Sequence, residues 1–238
     1  MPYQMNSPGG QRDLYRRYYE RVGNDRNDLR TNRGVLFQTL GFEASFINAC
    51  YKIDHDPGTA RVLDVGCGSA GTWYQLLRLG YRAANIVGID LQMERISAAT
   101  TLHPAAAVVC GDATSLGFRD ATFDLVYEST LFVTIADNRV RAEVAAEMVR
   151  VCRPGGYLLL VDWRTPRPWD RSYQALTRAE IKNLFRLGGS TSLVGAWRGA
   201  LVPPVGRFLS SRATPLYFLV AAVFPLLVGQ MAFLLRKH

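Results

Sequence analysis

The sequence predicts an α/β fold in which a mainly parallel sheet carries helices on both faces. Three observations carry that prediction. Seven short runs are apolar throughout instead of alternating, as strands buried on both faces are. Helical periodicities separate most of these runs. A glycine-rich turn follows the first run and opens a helix. Right-handed crossovers between such units give a doubly wound sheet.

The elements follow in order. Residues 11–22 and about 33–52 read as helical, the second placing Leu36, Leu40, Phe46, Ile47 and Tyr51 near one face. The polar stretch 23–32 separates them, and His55-Asp56-Pro57-Gly58 is a turn. Strands are expected at 61–65, 85–90, 105–110, 123–128, 156–163, 191–197 and 231–236. Helices are expected at 71–79, 92–100, 138–151, 177–187 and 206–224, with Gly155-Gly156 as a turn before the fifth strand. The chain divides into an N-terminal helical extension, 1–58, expected to act as a lid, and a sheet domain, 59–238.

Composition narrows the class. With 238 residues, 48% hydrophobic and 20% charged, the chain can bury a sizeable core, which excludes collagenous, disordered and coiled-coil readings. The net charge of +8 is uneven: +3 over 1–34, −4 over 35–163 and +9 over 164–238. An acidic middle between basic ends is unlike a nucleic-acid coat. The first 34 residues hold no apolar run of a secretory signal. The four cysteines, Cys50, Cys67, Cys110 and Cys152, form no CxxC pair and no zinc spacing, so no metal is expected and the reading is a reducing cytoplasm. Residues 213–235 lack charge, but Pro225 and Gly229-Gln230 interrupt them. They read as a core helix and a last strand, with contact to a membrane surface as the alternative.

The sharpest local signal is VLDVGCGSAG at 62–71. Gly66-x-Gly68-x-x-Gly71, with Asp90 about 20 residues on, also satisfies a dinucleotide fingerprint. Asp64 weighs against that reading. A carboxylate two residues before the first glycine would repel a pyrophosphate, whereas it suits an ammonium group. Asp90 serves either ligand, since a strand-end carboxylate accepts from ribose hydroxyls.

Further motifs follow in order: Gly111-Asp112-Ala113, then FRDATFDLVYEST (118–130), then MVRVCRPGGYLLLVD (148–162). Together these resemble the class I S-adenosylmethionine-dependent methyltransferases, in the branch that includes ubiquinone- and menaquinone-biosynthesis enzymes. The resemblance covers about residues 60–163 and implies a seven-stranded, Rossmann-like sheet with S-adenosyl-L-methionine as cofactor. It implies that Asp64, Gly66, Gly68 and Ser69, with Cys67 between them, hold the methionine part. It assigns Asp90 to the ribose, Leu91 to packing on adenine, Asp112 and Ala113 to the adenine edge, and Glu128 and Ser129 to the segment under the sulfonium.

The chain departs from its relatives after the fourth strand, where many carry a histidine and this one has STLFVTIAD (129–137). His55, His103 and His238 read as surface residues, His103 at the sheet end away from the cofactor. Glu128 and Asp162, with Asp137 behind them, are the candidate bases; proximity alone is the alternative. Trp73 is either core or a cofactor wall. Tyr18, Tyr19, Arg26 and Arg30 are candidate substrate contacts, the arginines for a carboxylate or phosphate. The expected activity is O-methylation of a small molecule or saccharide. The alternatives are a membrane-associated enzyme acting on a lipid and an NAD(P)-dependent oxidoreductase. No nucleic-acid partner is expected, and the oligomeric state is not legible.

Overall fold

The computed structural model describes residues 28–167, 170 and 173–238. The expected helix at 11–22 therefore lies outside the described residues. The sheet has seven strands in the order β3-β2-β1-β4-β5-β7-β6. These are β1 (Val62–Val65), β2 (Ile86–Asp90), β3 (Ala107–Cys110), β4 (Phe123–Ser129), β5 (Cys152–Trp163), β6 (Thr191–Arg198) and β7 (Gln230–Lys237). Strands β1 to β5 pair in parallel, and β7 enters antiparallel between β5 and β6. The glycine loop after β1 thus sits mid-sheet, where strand order reverses and ligands bind in open α/β sheets.

Helices cover both faces. Helix α1 (Leu36–Cys50), α2 (Trp73–Arg78) and α3 (Met93–Leu102) bury Phe46, Trp73, Leu76 and Ile96 against Val62, Leu125, Leu159 and Leu234. Helix α4 (Asn138–Val151), α5 (Arg178–Leu184), α6 (Pro203–Arg212) and α7 (Leu216–Val223) cover Leu63, Val126, Leu158, Leu160 and Leu235. Leu158 to Val161 are all fully buried on alternating faces, which is why β5 reads as one apolar run. Each such side chain contributes about 1.5–3 kcal/mol by leaving water.

Three expectations change. The double glycine 155–156 lies inside β5, where the pairing register with β4 shifts, so it is a bulge and not a turn. The expected helix 206–224 splits into α6 and α7 at Ala213–Pro215. The uncharged segment is only half core: Met231 to Leu235 are buried, but Leu216, Phe218, Leu219 and Val223 of α7 face solvent. Among the described residues no helix is long and apolar enough to cross a membrane.

Candidate cofactor site

Strand β1 ends in a loop that needs glycine twice. Gly66 has φ +74° and a Cβ there would lie 2.9 Å from Leu131 Cδ1. Gly68 has φ +55° and a Cβ there would lie 2.5 Å from the Arg95 Nη2. The Gly66 and Cys67 amides donate to Ile89 O at 2.8 and 3.0 Å, stitching the loop to β2. Asp90 completes the seam, accepting from Gly68 N at 2.8 Å and Gln92 N at 2.9 Å. Each of its oxygens keeps a second lone pair for a hydroxyl donor. Gly71 has open space around its Cβ position. The third glycine of a dinucleotide fingerprint is there for close helix–strand packing, so this loop lacks that feature.

Asp64 is 1% exposed. Its Oδ2 accepts from Trp73 Nε1 and from Tyr127 OH, both at 2.7 Å, while Oδ1 is buried with no partner. Trp73 is thus fully buried core that also orients Asp64. Burial pushes the Asp64 carboxyl up to about 7, against the two hydrogen bonds that lower it. An orphaned carboxylate oxygen at the strand end fits a cationic ligand, which would repay the cost of ionising it. Cys67 fills the space between loop and sheet, and burial raises its thiol far above neutrality, so it is inert filler.

The remaining cofactor candidates line the carboxyl ends of neighbouring strands. Asp112 Oδ1 accepts from Thr114 N and Oγ1 at 2.9 and 2.8 Å, which fixes the turn after β3. Leu91, Ala113 and Ser129 are half-buried, and Ser69 is exposed.

Glu128 and Asp162 sit side by side on β4 and β5, on the sheet face opposite Asp64. Glu128 Oε2 accepts from Leu131 N at 2.8 Å, and Asp162 accepts from Val133 N at 2.9 Å and Trp163 N at 2.7 Å. The two carboxylates therefore grip the backbone of the turn Phe132–Thr134. They are 0% and 2% exposed, and burial holds both well above the usual carboxylate range. Glu128 Oε1 has no partner. Asp137 is the N-cap of α4, accepting from Arg139 N at 2.7 Å.

Two of the three histidines differ from expectation, while His238 is exposed as expected. His103 is half-buried, with Nε2 3.1 Å from Ala70 O and its ring 5.1 Å from Trp73, so it supports the glycine loop from behind. His55 is half-buried against Tyr81 OH at 3.0 Å. Tyr18, Tyr19 and Arg26 lie outside the described residues. Arg30 is exposed and holds Asp28 through Nε and Nη2 at 3.0 and 2.6 Å.

Four contributors were not singled out from sequence. Tyr127 pairs with Asp64 across β1 and β4, which strand alternation would have suggested. Arg95 packs on Gly68. Leu131 packs on Gly66. Arg141, 1% exposed, donates to Phe132 O at 2.6 Å and Gln174 O at 3.0 Å and meets Glu180 at 3.2 Å. Nothing local in the sequence marks an arginine as buried.

Comparison with known proteins bears on this geometry. Residues 63–160 match the family described as a methyltransferase domain. The chain is 37% identical over 110 residues to 2-methyl-6-phytyl-1,4-hydroquinone methyltransferase of Synechocystis sp., covering 45% of this chain and 33% of that protein. It is 40% identical over 119 residues to fatty-acid O-methyltransferase of Mycolicibacterium smegmatis, covering 47% and 41%. The matches thus span well under half the length of these relatives. Among solved structures, the PH0226 protein of Pyrococcus horikoshii aligns over 93% of this chain and 99% of its own, with TM-score 0.63 and 16% identity. Geranyl diphosphate C-methyltransferase from Streptomyces coelicolor, solved with S-adenosyl-L-homocysteine, aligns over 82% and 77%, with TM-score 0.61 and 11% identity. Residues 63–160 thus match the methyltransferase domain family, and the fold built around them is that of solved S-adenosylmethionine-dependent methyltransferases.

Proposed function

We propose that the chain is an S-adenosylmethionine-dependent methyltransferase acting on a hydrophobic small molecule of the lipid class. The observation that carries the first half is Asp64, whose buried, unpartnered Oδ1 lies at the end of β1 beside the glycine loop. In this reading Asp64 holds the ammonium of the methionine part and the loop 66–69 cradles its backbone. Asp90 takes the ribose hydroxyls, Leu91 packs on the adenine, and Asp112 with Ala113 meets its edge. Ser129 and Glu128 run beneath the sulfonium.

The cofactor supplies an electrophilic methyl group, and the transfer is an in-line displacement. The chain's own part is to position the acceptor and exclude water. Glu128 Oε2 and Asp162 Oδ2 hold backbone amides of the turn after β4, and Asp162 Oδ1 holds Trp163 N, which favours a positioning role over that of a base; Glu128 Oε1 alone has no partner. Proximity then drives the transfer, with the acceptor's proton passing to solvent.

Two observations support a lipid substrate. Relatives bear the names of phytyl-hydroquinone, sterol, fatty-acid and tocopherol methyltransferases. The connection between β6 and β7 also opens an apolar surface on the cofactor side of the sheet. The test is transfer of labelled methyl groups to a panel of prenylated quinols, fatty acids, sterols, simple phenols and saccharides. Methylation confined to saccharides would replace the lipid reading with a glycan one, and methylation of fatty acids or phenols would assign O-transfer.

A further inference from the structure

Helix α7 breaks the usual rule for surface helices. From Pro215 to Val228 the only polar side-chain atom is the Tyr217 hydroxyl, which is buried and accepts from Leu201 N at 3.1 Å. The inner side of the helix, Tyr217, Val220 and Ala221, joins the core. Its outer side is just as apolar and faces solvent. Phe208, Leu216, Phe218, Leu219, Val223, Phe224 and Leu226 are 47–89% exposed. A helix apolar all round belongs in a core or in lipid, and this one is half in a core.

Its surroundings are basic. No Asp or Glu occurs after Glu180. Arg198 donates to Ala222 O at 3.3 Å, and Arg164 donates to Val228 O at 2.8 Å and to Pro225 O. The Arg212 guanidinium lies 5.8 Å from the Phe208 ring centroid. Three guanidiniums thus stand at the base of an apolar tip, the arrangement of a protein that inserts at an anionic lipid interface. A two-fold pairing of this face with a second copy would set the same arginines against one another.

The tip is also in the right place. Asp162 and Arg198 both pair with Met231 across β7, so the α6–α7 connection leaves β6 and re-enters β7 at the strand ends that carry the cofactor site. We propose that residues 204–226 form a membrane-contact surface that seats the cofactor edge of the protein on an anionic bilayer, with Arg164, Arg198 and Arg212 at headgroup level. This deepens the lipid reading above, because it delivers a lipid acceptor without its leaving the bilayer. The binding itself is independent of turnover.

The experiment is flotation of the full chain with vesicles of phosphatidylcholine containing about 30% phosphatidylglycerol. S-adenosylhomocysteine affinity is measured in parallel by calorimetry. The wild type floats with the vesicles, and raising salt from about 0.1 to about 0.5 M weakens that binding several-fold. The triple variant L219S/F224S/L226S replaces side chains that are 54–89% exposed. It keeps its S-adenosylhomocysteine affinity and loses at least about tenfold in vesicle affinity. Failure of the wild type to float while it binds S-adenosylhomocysteine overturns the docking surface and leaves the methyltransferase reading standing. Equal binding by the triple variant overturns it as well. So does sedimentation showing a wild-type dimer that the variant dissolves, since a second copy would then cover the face. Flotation without any S-adenosylhomocysteine binding keeps the surface and overturns the enzyme.

Discussion

Replacing Asp64 by Asn should strengthen the free protein while weakening its hold on the cofactor. The carboxyl is fully buried, and burial pushes it from 3.8 up to about 7. Its native form therefore holds more protons than the unfolded chain between about pH 4 and pH 7, and stability falls as pH rises through that window. The difference between those two values corresponds to at most about 4 kcal/mol above pH 7. Asn can present its carbonyl oxygen to Trp73 Nε1 and Tyr127 OH and place its amide where Oδ1 stands. The variant should therefore be more stable than wild type by about 1–3 kcal/mol at pH 8, with the gap closing near pH 5, where Asp64 is protonated. Urea unfolding across pH reads this directly. A slope remains in the variant because Glu128 and Asp162 are also raised. Calorimetry with S-adenosylhomocysteine at pH 8 should show about 10- to 100-fold weaker binding, the worth of one buried charge-assisted hydrogen bond. An Asn variant that is equally destabilised at pH 5 and pH 8, or that binds as tightly as wild type, would refute the reasoning.

Other outcomes follow from the same geometry. Gly68→Ala puts a Cβ at φ +55° within 2.5 Å of Arg95 Nη2, so it should cost about 1 kcal/mol or more in stability and sharply weaken cofactor binding by titration. Arg141→Met removes the cation that ties Phe132 O, Gln174 O and Glu180 together and should lower urea stability by about 3–5 kcal/mol. Glu128→Gln should reduce kcat by less than about tenfold and leave the pH–rate profile in place; a loss of about 100-fold or more would mark Glu128 as the base.

Much of the fold was legible because its central strands are buried on both faces, whereas the edge strands β3 and β6 are partly exposed. Residues 158–161 have no polar face to confuse the pattern, and all seven expected runs fall on strands. The glycine loop was legible because Gly66 and Gly68 answer to local backbone needs. What escaped depends on register between distant segments. Tyr127 reaches Asp64 only because β1 and β4 pair, and Arg141 is buried only because two loops converge on it. The exposure of α7 escaped for another reason. A helix apolar on every side carries no periodic signal of which side faces out, so the same residues read as core. The helix expected at 206–224 is two helices because Pro215 ends the helical run before it, a local stop that the apolar residues on either side mask.

The most direct test is calorimetric titration of the intact chain at pH 8 with S-adenosylhomocysteine and, separately, with NAD. A cradle of Asp64, the glycine loop and Asp90 predicts micromolar binding of S-adenosylhomocysteine and no heat with NAD. Heat with NAD and none with S-adenosylhomocysteine would contradict it.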